Sequence, residues 1–313
     1  MQNKIVFLDA LSLGESNIQS RLESFGAYTA YPTTKPEETL QRSKGANIIL
    51  SNKVVLNKEI LEALKQDLKL ICITATGTNN VDLEAAKALG ITVKNVAGYS
   101  TQSVAQHTLM LALGLCAKLP FYDSYVKSRE YANNPLFTNL SLPLELLNGK
   151  NWGIIGLGSI GKEVARLASA FGARVYYYST SGKNNNTDYP SLPLEELLKT
   201  SFVVSIHAPL NSTTQNLLSA KNLSLLQENS ILINIGRGGI VNEEDLAQAL
   251  KQQRFYVGLD VFTKEPMQEN NPLLDKSIAH QLLLTPHNAW GYEQSKEALI
   301  EGIVKNIKEF LTL

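Results

Sequence analysis

The sequence predicts an α/β fold class: two doubly wound parallel-sheet units, one inserted into the other. Three observations lead there. Apolar runs of strand length alternate with helical periodicity along nearly the whole chain. The first hundred residues show this alternation by themselves. A second series then starts with Asn151 to Thr180, where strand, glycine turn, helix and strand follow one another directly.

Residues 4–9 are a buried strand by pattern. A helix follows with Ile18, Leu22 and Phe25 on one face, stopped by Gly26. Residues 47–52 and 68–74 are further strands, separated by a short helix over 59–65. The second of these strands runs into the turn Ala75-Thr76-Gly77-Thr78-Asn79-Asn80. Asp82 is placed to cap a helix over 83–89, closed by Gly90, and residues 91–96 are the next strand.

Gly98 and Tyr99 break the pattern, and Ser100 or Thr101 can cap a long helix over 104–119. It is apolar on almost every face, which predicts burial between elements or between subunits. Residues 120–150 are rich in Asn, Pro, Tyr and Ser, with irregular apolar spacing. Two readings stay open: an arm reaching a partner subunit, or a surface loop carrying one helix.

The apolar run Trp152 to Ile155 enters Gly156-Leu157-Gly158-Ser159-Ile160-Gly161. A helical pattern (Val164, Leu167, Ala168, Phe171) ends at Gly172, and Val175 to Tyr178 is a strand. Such a turn alone is an ordinary tight connection; between two strands it is a dinucleotide fingerprint. Gly156 permits the turn, Gly158 leaves the backbone open to a pyrophosphate, and Gly161 allows close packing of helix on strand. The helix N–H groups, from Ser159 and Ile160 onward, and the positive end of its dipole face the phosphates. Further along come strands over 202–207, 231–235, 256–262 and 282–285, helices over 194–198, 220–227 and 243–250, and a C-terminal amphipathic helix over 293–313.

Composition excludes several classes. Lys plus Arg equals Asp plus Glu, at 29 each, so no basic field calls for nucleic acid. The two cysteines, Cys72 and Cys116, lie in apolar surroundings and indicate neither a disulfide framework nor a metal site. No apolar run reaches membrane-spanning length, and the N-terminal run is too short for a signal peptide. A cytoplasmic protein is expected.

In open α/β sheets ligands bind beyond the carboxyl ends of the strands. Polar residues at those positions are Thr76 with Gly77, His207, Arg237, Asp260 with Glu265, and His287. Each has a bland reading alone: a strand-end histidine, a carbonyl-binding arginine, a solvated turn carboxylate. Arg237, Glu265 and His287 together have complementary chemistry beside a nucleotide fold. Reducing a 2-oxo acid needs a guanidinium for its carboxylate and a proton donor for its carbonyl oxygen. Histidine gives or takes that proton, a carboxylate beside it sets its tautomer, and N–H groups of the Thr76-Gly77-Thr78 turn can hold the remaining carboxylate oxygen.

These motifs resemble the D-isomer-specific 2-hydroxyacid dehydrogenase family, near its hydroxypyruvate reductase (glycerate dehydrogenase) branch. The matching segments are ATGTNNVD (75–82), SVAQHTLMLAL (103–113), GIIGLGSIG (153–161), HAPLNSTT (207–214), NIGRGGIVNEEDL (234–246), GLDVFTKEP (258–266) and TPHNAW (285–290). The resemblance implies that Arg237 binds the substrate carboxylate, His287 is the acid/base and Glu265 its partner. Thr76 and Gly77 match the substrate loop. It further implies that Val104, Ser205, His207, Pro209, Ile235 and Gly236 line the cofactor pocket, and that Asp260 lies near the nicotinamide carboxamide. The implied fold is Rossmann-like in both domains. Residues 1–99 and 287–313 make the substrate domain and 100–286 the dinucleotide-binding domain, with a cleft between them. A homodimer paired through the nucleotide domain is also implied.

Two departures stand out. Gln106 precedes His107 where the family often has Glu. More consequentially, the acidic residue expected after the second strand of the nucleotide unit is absent, and the chain reads Ser179-Thr180-Ser181-Gly182-Lys183. Without that carboxylate a repulsion of a 2′-phosphate is lost, so NAD(P) is expected, with NADP tolerated or preferred. The alternative from another functional class is a dinucleotide-sensing corepressor-like binding protein of the same fold.

Overall fold

In the computed structural model, residues 2–184, 186–252 and 255–312 are described. Along the chain, the first elements are β1 (Asn3–Phe7), α1 (Ile18–Leu22), β2 (Gly26–Ala30), α2 (Thr39–Ser43) and β3 (Ile48–Ser51). They are followed by α3 (Lys58–Leu64), β4 (Leu70–Ile73), α4 (Leu83–Ala88) and β5 (Thr92–Lys94). The middle of the chain forms α5 (Thr101–Cys116), α6 (Leu119–Lys127), β6 (Asn151–Ile155), α7 (Ser159–Ala170) and β7 (Arg174–Tyr178). Then come α8 (Leu194–Thr200), β8 (Val203–Ile206), α9 (Ala220–Leu223), β9 (Ile231–Asn234) and α10 (Glu243–Gln252). The last elements are β10 (Tyr256–Leu259), β11 (Leu282–Leu284) and α11 (Glu293–Leu311).

Two compact units result, residues 1–100 with 291–313 and residues 101–290. The first has one parallel sheet in the order β2-β1-β3-β4-β5. The second has one parallel sheet in the order β11-β10-β9-β8-β6-β7. In each, the first strand of the unit lies between its second and third, which puts a topological switch point at its carboxyl end. Residues 287–290 fall in the second unit because Asp260, at the end of β10, holds the backbone N–H groups of Asn288 and Ala289.

The burial pattern explains why these segments are strands. β3, β4, β8 and β9 are buried along their whole length, as parallel strands covered on both faces are. β2 is the exception and escapes sequence reading. It is an edge strand, Gly-Ala-Tyr-Thr-Ala, with one neighbour and four residues at least partly exposed, so no apolar run marks it. The preceding helix accordingly ends at Leu22, short of Phe25. The short α2, TLQRS, also lacks an apolar stripe.

Caps behave as expected: the Asp82 carboxylate accepts the N–H of Ala85 at the start of α4. The long helix is buried on most faces, with Val104, Leu109, Leu111 and Leu115 in the core of the second unit. Each such side chain contributes about 1.5–3 kcal/mol on leaving water. It stops at Cys116, earlier than its periodicity predicts, because Lys118 turns left-handed (φ 52°) and starts α6. Residues 120–150 therefore contain one α-helix, a short 3-10 helix at Tyr131–Asn133 and otherwise irregular chain. No single helix among the described residues is long and apolar enough to cross a membrane.

Candidate active site

The second unit's switch point is built around the turn after β6. Gly156 is left-handed (φ 94°), and a Cβ there would meet the backbone N of Ala208 at 2.9 Å. A Cβ on Gly161 would overlap the carbonyl oxygen of Gly156. These two glycines let α7 and the loop after β8 close on the turn. Gly158 differs, since a Cβ there would face open space. It is also the N-cap of α7 and supplies no side-chain cap to the helix N–H groups.

These features fit a dinucleotide. An uncapped helix start with room above it takes an anion. Beside it, His207 at the end of β8 leaves Nδ1 buried and without a protein partner, an atom suited to a polar ligand group. Its Nε2 lies 3.0 Å from Ser205 Oγ, which also accepts the Trp152 indole N–H at 2.8 Å. Burial pushes the His207 pKa down to about 3, so its ring is neutral. Ile235 is buried, and Val104 is buried on α5. Pro209, in the loop after β8, accepts the Thr214 hydroxyl at its carbonyl. Gly236 packs its backbone near that of Ala208.

The loop after β7 folds back onto the same turn through a residue that sequence reading missed. Asn184 donates its side-chain amide to the carbonyl of Leu157 (2.7 Å), inside the glycine turn. Its backbone N–H reaches Ser179 Oγ at 3.3 Å, and its carbonyl accepts the Tyr177 hydroxyl at 3.1 Å. Ser181 Oγ accepts the N–H of Lys183, whose side chain is exposed. Nothing in the local pattern marks Asn184, because its partner lies 27 residues earlier.

Arg237, Glu265 and His287 come from the loops after β9, β10 and β11. Asn234 braces the first of these loops: its side chain donates to the carbonyl of Arg237 and accepts the N–H of Gly236. Gly238 then lies so close to Phe262 that a Cβ would overlap that residue's carbonyl. This approach seats the arginine loop on the glutamate loop. Glu265 Oε1 accepts the N–H of Phe262 at 3.0 Å, which orients the carboxylate. Its Oε2 lies 2.7 Å from His287 Nδ1. An ionised carboxylate only accepts, so the imidazole carries its hydrogen on Nδ1 and leaves Nε2 free of that contact.

His287 has a left-handed backbone (φ 53°), costing a non-glycine residue about 1–2 kcal/mol. Asp260 opposes that cost. Its buried carboxylate accepts the N–H of Asn288 and of Ala289, both at 3.0 Å. Each hydrogen bond to a charged group is worth about 1.5–3 kcal/mol, so the two together outweigh the strain. Thr76 and Gly77 belong to the first unit, in the turn after β4. There the Thr76 hydroxyl donates to the carbonyl of Val96, and Asn95 donates to the carbonyl of Thr76.

Residues 109–289 match the D-isomer specific 2-hydroxyacid dehydrogenase, NAD binding domain. A glycerate dehydrogenase from Methylorubrum extorquens is 35% identical over 99% of this chain and 97% of its own length. A hydroxypyruvate reductase from Blautia hydrogenotrophica is 33% identical over 98% and 97%. The chain belongs to the D-isomer specific 2-hydroxyacid dehydrogenase family. It is a nicotinamide-dependent oxidoreductase acting on the CH–OH group of a small 2-hydroxy acid. Among solved structures, an acyclic imino acid reductase in complex with NADPH and D-Arg superimposes with a TM-score of 0.85 at 28% identity, covering 99% of this chain and 97% of that one. The dehydrogenase and reductase names of these family members do not favour the corepressor-like reading.

Proposed function

We propose that this dehydrogenase reduces hydroxypyruvate or glyoxylate, with Arg237, Glu265 and His287 as its catalytic residues. The observation that carries the reading is the 2.7 Å contact of Glu265 with His287 Nδ1, which leaves Nε2 to deliver a proton. The nicotinamide ring, when bound, supplies hydride to the carbonyl carbon of the 2-oxo acid. The Arg237 guanidinium holds the substrate carboxylate, and Thr76 and Gly77 belong to the substrate-binding loop. His287 gives its Nε2 proton to the carbonyl oxygen as that oxygen gains negative charge, and Glu265 stabilises the protonated ring. The names of the two relatives support this substrate class.

The dinucleotide is held by Gly156, Gly158, Ser159, Ile160 and Gly161 at its pyrophosphate. Val104, His207, Pro209, Ile235, Gly236 and Asp260 border its pocket. Ser179, Thr180, Ser181 and Lys183 meet the adenosine ribose. NADP is accepted, since this loop carries hydroxyls and a lysine where a carboxylate would repel a 2′-phosphate. The imino acid reductase complex with NADPH supports that choice on a similar fold.

The reading also includes a homodimer. Leu119, Leu136, Phe137, Leu140, Leu144 and Leu146 are all more than half exposed along residues 119–146, more apolar surface than a solvated arm needs. Two buried free thiols, Cys72 and Cys116, accord with a cytoplasmic location. The test is a panel of glyoxylate, hydroxypyruvate, pyruvate and bulkier 2-oxo acids assayed with NADH and NADPH. His287→Ala and Arg237→Ala are each expected to lower kcat/KM on the order of 1,000-fold while dinucleotide still binds. Near-normal turnover by His287→Ala overturns the mechanism, and a 100-fold preference for NADH overturns the cofactor choice.

A further inference from the structure

We infer that His107 and Thr285 are positioning residues that act through Asp260 to set the backbone of His287; the inference rests on reading His287 as the proton donor. The four residues lie within one unit and come from three elements. His107 is on α5, Asp260 follows β10, and Thr285 with His287 follows β11. Thr285 Oγ1 lies 2.6 Å from Asp260 Oδ1. Because an ionised carboxylate has no hydrogen to give, the threonine hydroxyl donates there. Its lone pairs are then what His107 Nε2 meets at 3.0 Å, so the ring donates its Nε2 hydrogen. The chain is polarised in one direction, imidazole to hydroxyl to carboxylate, an order in which each bond strengthens the next.

The same carboxylate also holds the N–H groups of Asn288 and Ala289. It therefore bridges Pro286 and His287, with the Thr285 side chain on one flank and two backbone donors on the other. The entry to this bridge is anchored on β10, where Leu259 accepts the N–H of Thr285 at 2.9 Å. Within it, the N–H of His287 reaches back to the carbonyl of Thr285 at 3.1 Å. His107 is 3% exposed and Asp260 1%, so no water can readily replace a lost partner. Burial holds the His107 pKa below its ordinary value, with the Asp260 charge opposing, so the ring serves as a neutral donor. Removing the Thr285 hydroxyl takes the 3.0 Å partner from His107 Nε2, whose next acceptor, Asp260 Oδ1, is 3.7 Å away, and takes one of three donors from the carboxylate, which loosens it. The loop then turns His287 away from the angle at which Nε2 meets the carbonyl oxygen.

The variant Thr285→Val keeps the side-chain shape and removes the hydroxyl; Thr285→Ser keeps the hydroxyl. The expected result for Thr285→Val is a fall in kcat of about 10- to 100-fold, the scale of a misplaced catalytic group. The KM for the 2-oxo acid and the NADH dissociation constant should stay within about threefold, and Thr285→Ser should recover most of the rate. His107→Leu should give a similar loss, and the double variant no further one, because both cut one chain. If Thr285→Val does not fold, His107→Gln, which retains a donor, against His107→Leu makes the same comparison. Wild-type kcat in both Thr285→Val and His107→Leu, or equal losses for Thr285→Ser and Thr285→Val, overturns the inference. His287→Ala run alongside separates the two levels: its inactivity with an active Thr285→Val rejects the positioning chain alone, whereas its activity rejects the proton-donor reading itself.

Discussion

The two units carry the same switch point and fill it differently. In the first, β1 lies between β2 and β3, and Asp9 follows its carboxyl end. The Asp9 carboxylate accepts the N–H groups of Asn52 and Lys53, just past β3. The unit thus satisfies its loop donors with an anion of its own. In the second unit β6 lies between β7 and β8, and the corresponding turn has glycine at Gly156 and Gly158. No side chain caps α7 there, and the Gly158 position opens to space. One fold makes a self-contained loop when a carboxylate sits at the strand end. It leaves helix N–H groups open, as the proposed phosphate site requires, when that carboxylate is missing and a long helix starts in its place.

Gly158→Val is the sharpest way to break this contrast. Its backbone, φ −81° and ψ −162°, suits any residue, and the added side chain enters open space rather than the core. NADH and NADPH affinity should fall about 100-fold or more, roughly 2.7 kcal/mol, with the melting temperature almost unchanged. Titration of protein fluorescence with each cofactor measures it; intact affinity would show that the turn is not the phosphate site.

Asp9→Ala probes the other switch point. Burial holds the Asp9 pKa above its ordinary value, and the backbone N–H groups of Asn52, Lys53 and Val54 offset that only in part. Without it those N–H groups lose their acceptor, and stability should drop by about 1–3 kcal/mol. Dinucleotide affinity should not change. Urea unfolding monitored beside a cofactor titration distinguishes the two, and a loss of affinity without a loss of stability would contradict the assignment.

The last test concerns pH. His207 is neutral in the folded protein, with a pKa near 3, against 6.5 for an ordinary histidine. Between those values the unfolded chain binds a proton that the folded one does not. Stability therefore rises with pH across that window and is lost as pH falls below about 6.5. Chemical denaturation from pH 7 to pH 4 should show this slope, and His207→Asn should flatten it. An identical slope in the variant would assign the pH dependence to other groups.

Much of this was legible in the sequence because it is local. The strand–turn–helix–strand order around Gly156, the Asp82 cap and the buried character of α5 each depend on neighbours within a few turns of chain. Arg237, Glu265 and His287 could be nominated for the same reason, since each follows a recognisable strand. β2 was not legible, because an edge strand needs no apolar run. Asn184 and the His107–Thr285 contact were not legible either, because each gains its meaning from a distant partner that a pattern of residue types does not name.

By itself, then, the sequence determined the alternation of strands and helices, the uncapped glycine turn and the absence of an acid at Ser179. Periodicity and backbone sterics act over short stretches and are written in residue order. Only the tertiary structure decided that the Glu265 carboxylate meets Nδ1 of His287, that Asp9 fills one switch point, and that Asp260 holds the left-handed turn. Those contacts join residues from 22 to 44 positions apart. They exist because parallel strands in fixed register bring successive carboxyl-end loops to one edge of a sheet.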